Sequence, residues 1–342
     1  MKPAVVRSPR RMRRLLAILT VALALSPGLL WRAAPHADAG PRPITILPLS
    51  LPANARLAPG LTVAGGWQLA SRDEAFGGYS ALLTLPEGKL LAVSDRGRLL
   101  RMGMPTRPSM RVRIGAVGIA DPVGRRSLDA ESATRDPASG TIWLGYESTN
   151  TIRRYGPDLG ESQAVRPAEM RAWPANRGPE TLVRLADGRF IVLSEDVSDG
   201  PRPFSEGLLF PGDPIEGATP AVFRFVPPAG FRPTDIAQLP DGRVVILLRR
   251  LRIGLPPWLI SRLVVADPAT IARGGEWAWQ PLIEIRDPLP RENYEGLAIE
   301  PRENGVVRLW LISDDNRAAA LQHTLLLALD WTLGTTNHAL KQ

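Results

Sequence analysis

Short apolar runs separated by polar turns recur along this chain, and one stretch shows the unit most plainly. From Asn293 to Asn316, NYEGLAIEPRENGVVRLWLISDDN, an alternating run from Leu297 to Ile299 passes through a polar turn at Gly305. It then enters a second apolar run, Val306 to Ile312. Two such runs joined by a glycine turn predict a β-hairpin. Glu295 precedes the first run and Asp314-Asp315 follow the second, so the acids stand side by side at the end away from the turn. The same unit occurs in GGYSALLTLPEGKLLAVSDRG, with Ser80 and Asp95, and in DAESATRDPASGTIWLGYESTN, with Glu131 and Glu147. It returns in GPETLVRLADGRFIVLSEDV, with Glu180 and Glu195, and in PTDIAQLPDGRVVILLRRLRI, with Asp235 and then Arg249.

The turn glycines Gly88, Gly140, Gly188, Gly242 and Gly305 set a period of roughly fifty residues. Short strands at that period predict an all-β fold, a β-propeller of four-stranded blades. At about fifty residues per blade, the chain beyond residue 39 predicts six blades. The sixth would be closed by joining a C-terminal strand, Thr324 to Trp331, to strands near Ile44 to Leu49 and Leu61 to Leu69. No stretch reads as a long amphipathic helix, which excludes an α/β reading.

Composition narrows the chemistry. The chain has 342 residues, 44% of them hydrophobic, enough for one large core. It has no cysteine, so disulfides, thiolate metal sites and cysteine nucleophiles are excluded. Three histidines, His36, His323 and His338, leave no basis for a multi-histidine zinc site. The formal charge of +8 is concentrated at the start: the seven basic residues and one acid of residues 1–39 account for +6 of it. The remainder gives no reason to expect nucleic-acid binding. That start is basic up to Arg14, apolar from Leu15 to Leu25, and ends in Ala37-Asp38-Ala39. It predicts a signal peptide cleaved after Ala39, one periplasmic or secreted domain at 40–342, and no stable membrane association after cleavage. The alternative is an uncleaved inner-membrane anchor.

In a propeller the loops entering the inner strands form one rim of the central channel. Ser80, Glu131, Glu180, Asp235 and Glu295 are expected to converge there, with Asp95, Glu147, Glu195 and Asp314 reaching the same end from the partner strands. Crowded carboxylates raise one another's pKa, so arginines or a hard cation must balance them, and calcium suits an oxygen-only ring. Each acid alone is as readily a turn residue, as Asp187-Gly188 and Asp241-Gly242 are. Arg153-Arg154 and Arg249-Arg250 are either solvated surface charge or forks for an anion. Trp143 and Trp310 read as core. Ser80 lacks a nucleophile-elbow context and a nearby histidine, so a serine triad is not expected.

The chain resembles the phytase-like propeller family described by "esterase-like activity of phytase". The resemblance rests on Ser94-Asp95-Arg96-Gly97, Asp129-Ala130-Glu131, Tyr146-Glu147-Ser148-Thr149-Asn150, Gly178-Pro179-Glu180, Ser194-Glu195, Leu247-Leu248-Arg249-Arg250, Asn293-Tyr294-Glu295-Gly296 and Ser313-Asp314-Asp315-Asn316. Leu248 departs from the pattern, which usually has an acid before the paired arginines. The resemblance implies a calcium-dependent phosphomonoesterase or related esterase acting on a small anionic ester; the oligomeric state is left open by the sequence, with a monomer favoured. On that reading Asp95, Glu131, Glu147, Glu180, Glu195, Asp235, Glu295 and Asp314 form the metal set. Arg153, Arg249 and Arg250 are the catalytic cations, and Arg96, Arg154 and Asn150 contact substrate. The alternatives are a non-enzymatic binding propeller of the cell envelope and a calcium-dependent lactonase-type hydrolase.

Overall fold

Each predicted hairpin forms the inner half of a blade, and two further strands extend it outward. The computed structural model describes residues 42–105, 112–118, 129–252, 258–316 and 322–334. The predicted leader at 1–39 and its cleavage site lie outside them. No helix among the described residues is long and apolar enough to cross a membrane.

Blade 1 runs outward through Tyr79–Leu85, Lys89–Ser94, Arg98–Gly103 and Val112–Ala116. Blade 2 is Ala130–Arg135, Ile142–Tyr146, Thr151–Tyr155 and Ser162–Val165. Blade 3 is Pro179–Arg184, Phe190–Val197, Ser205–Phe210 and Ala221–Phe225, and Glu276–Trp277 adds to its outer edge in parallel. Blade 4 is Arg232–Gln238, Val244–Arg252, Trp258–Ala266 and Trp279–Glu284. Blade 5 starts with Tyr294–Pro301, Val306–Ser313 and Thr324–Thr332, then returns to the beginning of the chain for Leu61–Ser71 and Ile44–Pro48.

The six-blade expectation is therefore wrong: the described residues form five sheets. The closure of C-terminal strand on N-terminal strand does occur, with Thr324 opposite Leu69 and Trp331 opposite Leu61. It completes the fifth blade instead of building a sixth. The excess length that suggested another blade goes into the extra N-terminal strands and into the excursion from blade 4 that edges blade 3.

Five hydrophobic clusters, one at each blade–blade interface, close the ring. Leu247 and Leu263 of blade 4 meet Leu309 and Leu327 of blade 5. Ile246 and Val264, on the other face of the same two strands, meet Phe223 and Phe225 of blade 3. Blade 5 meets blade 1 through Trp310, Ile312, Leu82 and Leu90, blade 1 meets blade 2 through Val93, Leu99, Leu144 and Tyr155, and blade 2 meets blade 3 through Trp143, Ile152, Phe190 and Val192. Successive side chains point to opposite faces of a strand. A strand between two neighbours therefore buries both faces, and this is why the second strands read as near-continuous apolar runs. Each such leucine or phenylalanine contributes about 1.5–3 kcal/mol on burial. Where blades 5 and 1 meet, the backbones approach closely: a Cβ at Gly296 would lie 2.9 Å from the Ala81 carbonyl carbon.

Candidate functional site

All five inner strands break register at the same place. The interruptions fall between Tyr79 and Ala81, Ala130 and Ser132, Pro179 and Thr181, Pro233 and Asp235, and Tyr294 and Gly296. The residues at the bulge are Ser80, Glu131, Glu180, Thr234 and Glu295. A bulge re-aims its side chain out of the sheet's alternation, here toward the channel mouth in four blades out of five. The second strands carry an equivalent position one step on: Asp95, Glu147, Glu195, Arg249 and Asp314 follow or end their runs. Four of these are pinned alike, their amides donating to the carbonyls of Gly78, Asp129, Gly178 and Asn293 at 2.8–3.1 Å. Gly78, at φ 71°, also makes room: a Cβ there would meet Asp95 Oδ1 at 2.7 Å.

Together these positions enclose a cavity of about 250 Å³ lined by Ser80, Asp95, Glu131, Glu147, Asn176, Glu180, Glu195, Arg249, Glu295, Asp314 and Asn316. Among the described residues, seven carboxylates thus face one guanidinium. Arg249 is held from three sides. Its Nη2 donates to Glu195 Oε1 at 3.1 Å, and its Nη1 donates to Asn293 Oδ1 at 2.9 Å and to Glu295 Oε1. Burial works against its charge, but Glu295, Glu180 and Glu195 outweigh it and raise the Arg249 pKa. Two oxygen triads stand out: Asp129, Glu131 and Glu147, and Glu147, Glu180 and Glu195, each with ligand atoms within 4.8 Å of one another. Glu147 belongs to both.

Burial, then the charges of Glu295, Asp129 and Glu147, pushes Glu131 well above the carboxylate range. Burial, then Glu131 and Glu195, does the same to Glu180. Burial raises Glu147 to about 7 against the Gly178 amide that it accepts from, and raises Asp314 to about 8 with help from Glu295. An acid that holds its proton more tightly folded than unfolded adds stability below the ordinary carboxylate pKa and loses it as pH rises through its folded value. In chelator, the melting temperature should therefore fall between about pH 5 and pH 9, by a few kcal/mol of stability in all. Saturating calcium should reverse that trend, because the cation displaces the protons. A flat profile in chelator, followed by differential scanning calorimetry, would contradict this account.

The predicted site residues separate clearly. Asp95, Glu131, Glu147, Glu180, Glu195, Arg249, Glu295 and Asp314 line the cavity. Asp235 does not. It lies one residue past the bulge, and its carboxylate accepts from the amides of Leu297 at 2.6 Å and Ile236 at 2.8 Å, clasping blade 4 to blade 5. The residue equivalent to Glu131 in blade 4 is Thr234. Arg96 stands behind the wall, its Nε 3.7 Å from Asp95 and its Nη2 donating to the Glu74 carbonyl. Arg153 lies over the Tyr146 ring at 5.3 Å, and Arg154 binds Asp213 at 2.7 Å and Glu216 at 2.6 Å. Arg250 lies over Phe231 at 4.6 Å. Asn150, buried at φ 50°, donates to the Trp173 carbonyl at 2.8 Å. None of these five lines the cavity. Leu248 packs in the core between blades 3 and 4. His323 pairs with Glu292 at 3.2 Å, outside the cavity, and His338 lies outside the described residues.

Four contributors escaped the sequence reading. Asp129 sits two residues before Glu131, just outside the strand that begins at Ala130 and at φ 49°, so strand alternation gave no signal for it. Asn293 bridges Arg249 and Glu295, donating to the latter at 2.9 Å. Asn316 was visible at the end of its motif, whereas Asn176, in a loop, gave no signal.

No curated protein matches the chain. Among solved structures it is similar to the PQQ-bound aldose sugar dehydrogenase of Streptomyces coelicolor, at 14% identity and TM-score 0.46, over 85% of this chain and 99% of that one. It is also similar to the WD40 β-propeller domain of Doa1, at 10% identity and TM-score 0.38, over 79% and 97%. The phytase-like model, described as esterase-like activity of phytase, matches residues 74–317, a span that runs from the approach to blade 1 through the last cavity residue, Asn316. The chain belongs to the phytase-like family.

Proposed function

We propose that this chain is an exported, calcium-dependent phosphomonoesterase or related ester hydrolase that takes a small anionic ester at the rim cavity. One observation carries the reading: among the described residues, seven carboxylates and a single guanidinium surround one cavity, with two oxygen triads sharing Glu147. Such a set either keeps protons or takes up cations. Its donors are oxygens alone, without histidine or cysteine, which suits a hard cation with a high coordination number. Asp129, Glu131 and Glu147 would hold one ion and Glu147, Glu180 and Glu195 another, with Glu295 and Asp314 closing the ring. Bound calcium supplies charge on the phosphoryl oxygens and a bound water of lowered pKa.

The chain's own residues do the rest. Arg249, fixed by Asn293, Glu195 and Glu295, presents a planar fork to the equatorial oxygens of the transferring group. Ser80, Asn176 and Asn316 orient the ester through neutral donors. Export, with cleavage after Ala39, places this chemistry in the periplasm or outside the cell.

The test is calorimetry and a thermal melt of residues 40–342 with and without calcium, with a generic phosphomonoester assayed on the same sample. Tight binding, a melting point raised by about 4 °C or more at a hundredfold excess over Kd, and calcium-dependent turnover are expected. Binding without turnover would move the reading to a lactonase-type substrate. No binding at millimolar calcium would leave a ligand- or protein-binding propeller.

A further inference from the structure

Beside the acidic cavity lies a second one of about 480 Å³, lined by Glu195, Gly230, Arg232, Arg249, Leu251, Leu259, Asn293, Asn316 and Gln322. The two share Glu195, Arg249 and Asn316 as a common wall, so the second is an antechamber to the first. Its volume falls in the range of small-molecule sites, roughly 300–1,000 Å³.

Two features of its wall are unexplained by folding. First, Arg232 stands directly across the strand pair from Arg249, an arrangement of like charges that destabilises a sheet. Arg249 is neutralised by Glu195 and Glu295, but Arg232 forms no ion pair among the described residues, and its Nη1 donates to the Glu195 carbonyl at 3.0 Å. Second, the hairpin of blade 4 runs past the edge of its sheet and sets Leu251 opposite Leu259. Leu251 is 61% exposed. A large apolar side chain left in water beside an unneutralised arginine marks a site for a ligand with an anionic end and an apolar body.

We infer that the antechamber is the leaving-group subsite, and that the chain takes phosphomonoesters whose leaving group is alkyl or aryl. This rests on the phosphoester reading above. Arg232 and Arg249 fork the phosphoryl oxygens from the antechamber side, and the leaving group lies against Leu251 and Leu259 with Asn316 and Gln322 at its margin. Arg232 and Arg249 are the cations that line the antechamber among the described residues.

The test is calorimetric titration of the calcium-loaded protein with methyl-, ethyl-, propyl- and butylphosphonate, which bind without turning over. Affinity should rise about two- to fourfold per methylene. Leu251→Asp should flatten the series, and Arg232→Gln should weaken every member about tenfold or more. A flat series in the unaltered protein, or a slope untouched by Leu251→Asp, overturns the assignment. Because phosphonates report binding alone, a steep series in a protein that never hydrolyses a phosphomonoester would sink the catalytic reading and leave the subsite standing.

Discussion

Glu147→Gln will weaken calcium binding by roughly a hundredfold or more and remove turnover, while raising the melting temperature of the metal-free protein. The first half follows from geometry. Glu147 is the one carboxylate common to both oxygen triads, so its loss leaves two ligands in each, and even substitutions that only orient ligands cost ten- to hundredfold in affinity. The second half follows from electrostatics. Burial and the neighbouring charges of Asp129 and Glu195 hold Glu147 up to about 7, so its ionised form is a liability near neutral pH without a cation. Glutamine keeps the shape and the acceptor for the Gly178 amide, 3.2 Å away in this structure, and drops the charge. Gain of stability with loss of binding is the signature of a residue kept for function. A purely structural Glu147, serving only that amide, predicts the reverse: unchanged calcium affinity and no gain in the melt. Glu276→Gln, on the outer edge of blade 3 and bonded to Arg202, serves as control and should change neither quantity.

How far these arguments could be made from sequence depends on what each residue's position is set by. The hairpins were legible because turn glycines and alternating runs are local signals. Their acids were legible because they flank those runs: Glu131, Glu180 and Glu295 on the way in, and Asp95, Glu147, Glu195 and Asp314 on the way out. The number of blades was not, since it depends on which strands pair across the whole chain. Leu61–Ser71 and Thr324–Thr332 are far apart in sequence and meet only when the ring closes. Asp235 shows the limit at a finer scale. A bulge shifts the count by one residue, so Thr234 and not Asp235 takes the channel position, and the acid is spent on two backbone amides instead. The arginines were misread for a similar reason. Adjacent residues on a strand face opposite ways, so in Arg249-Arg250 only the first can reach the cavity. Arg153 and Arg154 belong to a third strand, one further from the channel.

Arg249→Met will be the most destabilising single change at this site. It removes the only guanidinium that the described residues bring to a cavity with seven carboxylates, leaving Glu195 and Glu295 without their shared partner. Breaking a buried pair from one side costs about 3–5 kcal/mol, which is roughly 5–8 °C in a domain of this size. The loss should be largest in chelator at alkaline pH, where Glu131, Glu147, Glu180, Glu295 and Asp314 must ionise, and smaller near pH 5, where burial keeps protons on these acids. Calcium should restore part of the stability by replacing the missing charge, yet turnover should stay lost, because a spherical cation cannot present a planar fork. Arg249→Lys separates the two roles: the charge remains, so most of the stability should return, while the three-way hold by Asn293, Glu195 and Glu295 cannot be reproduced by an ammonium. Arg250→Met gives the contrast. That side chain contributes a stack on Phe231 at 4.6 Å and a bond to the Ala229 carbonyl, worth about 1 kcal/mol, with no effect on calcium affinity. Equal losses at positions 249 and 250 in chelator melts would mean that the paired arginines act as general surface charge, and that the carboxylates of the ring are neutralised by their own protons rather than by Arg249.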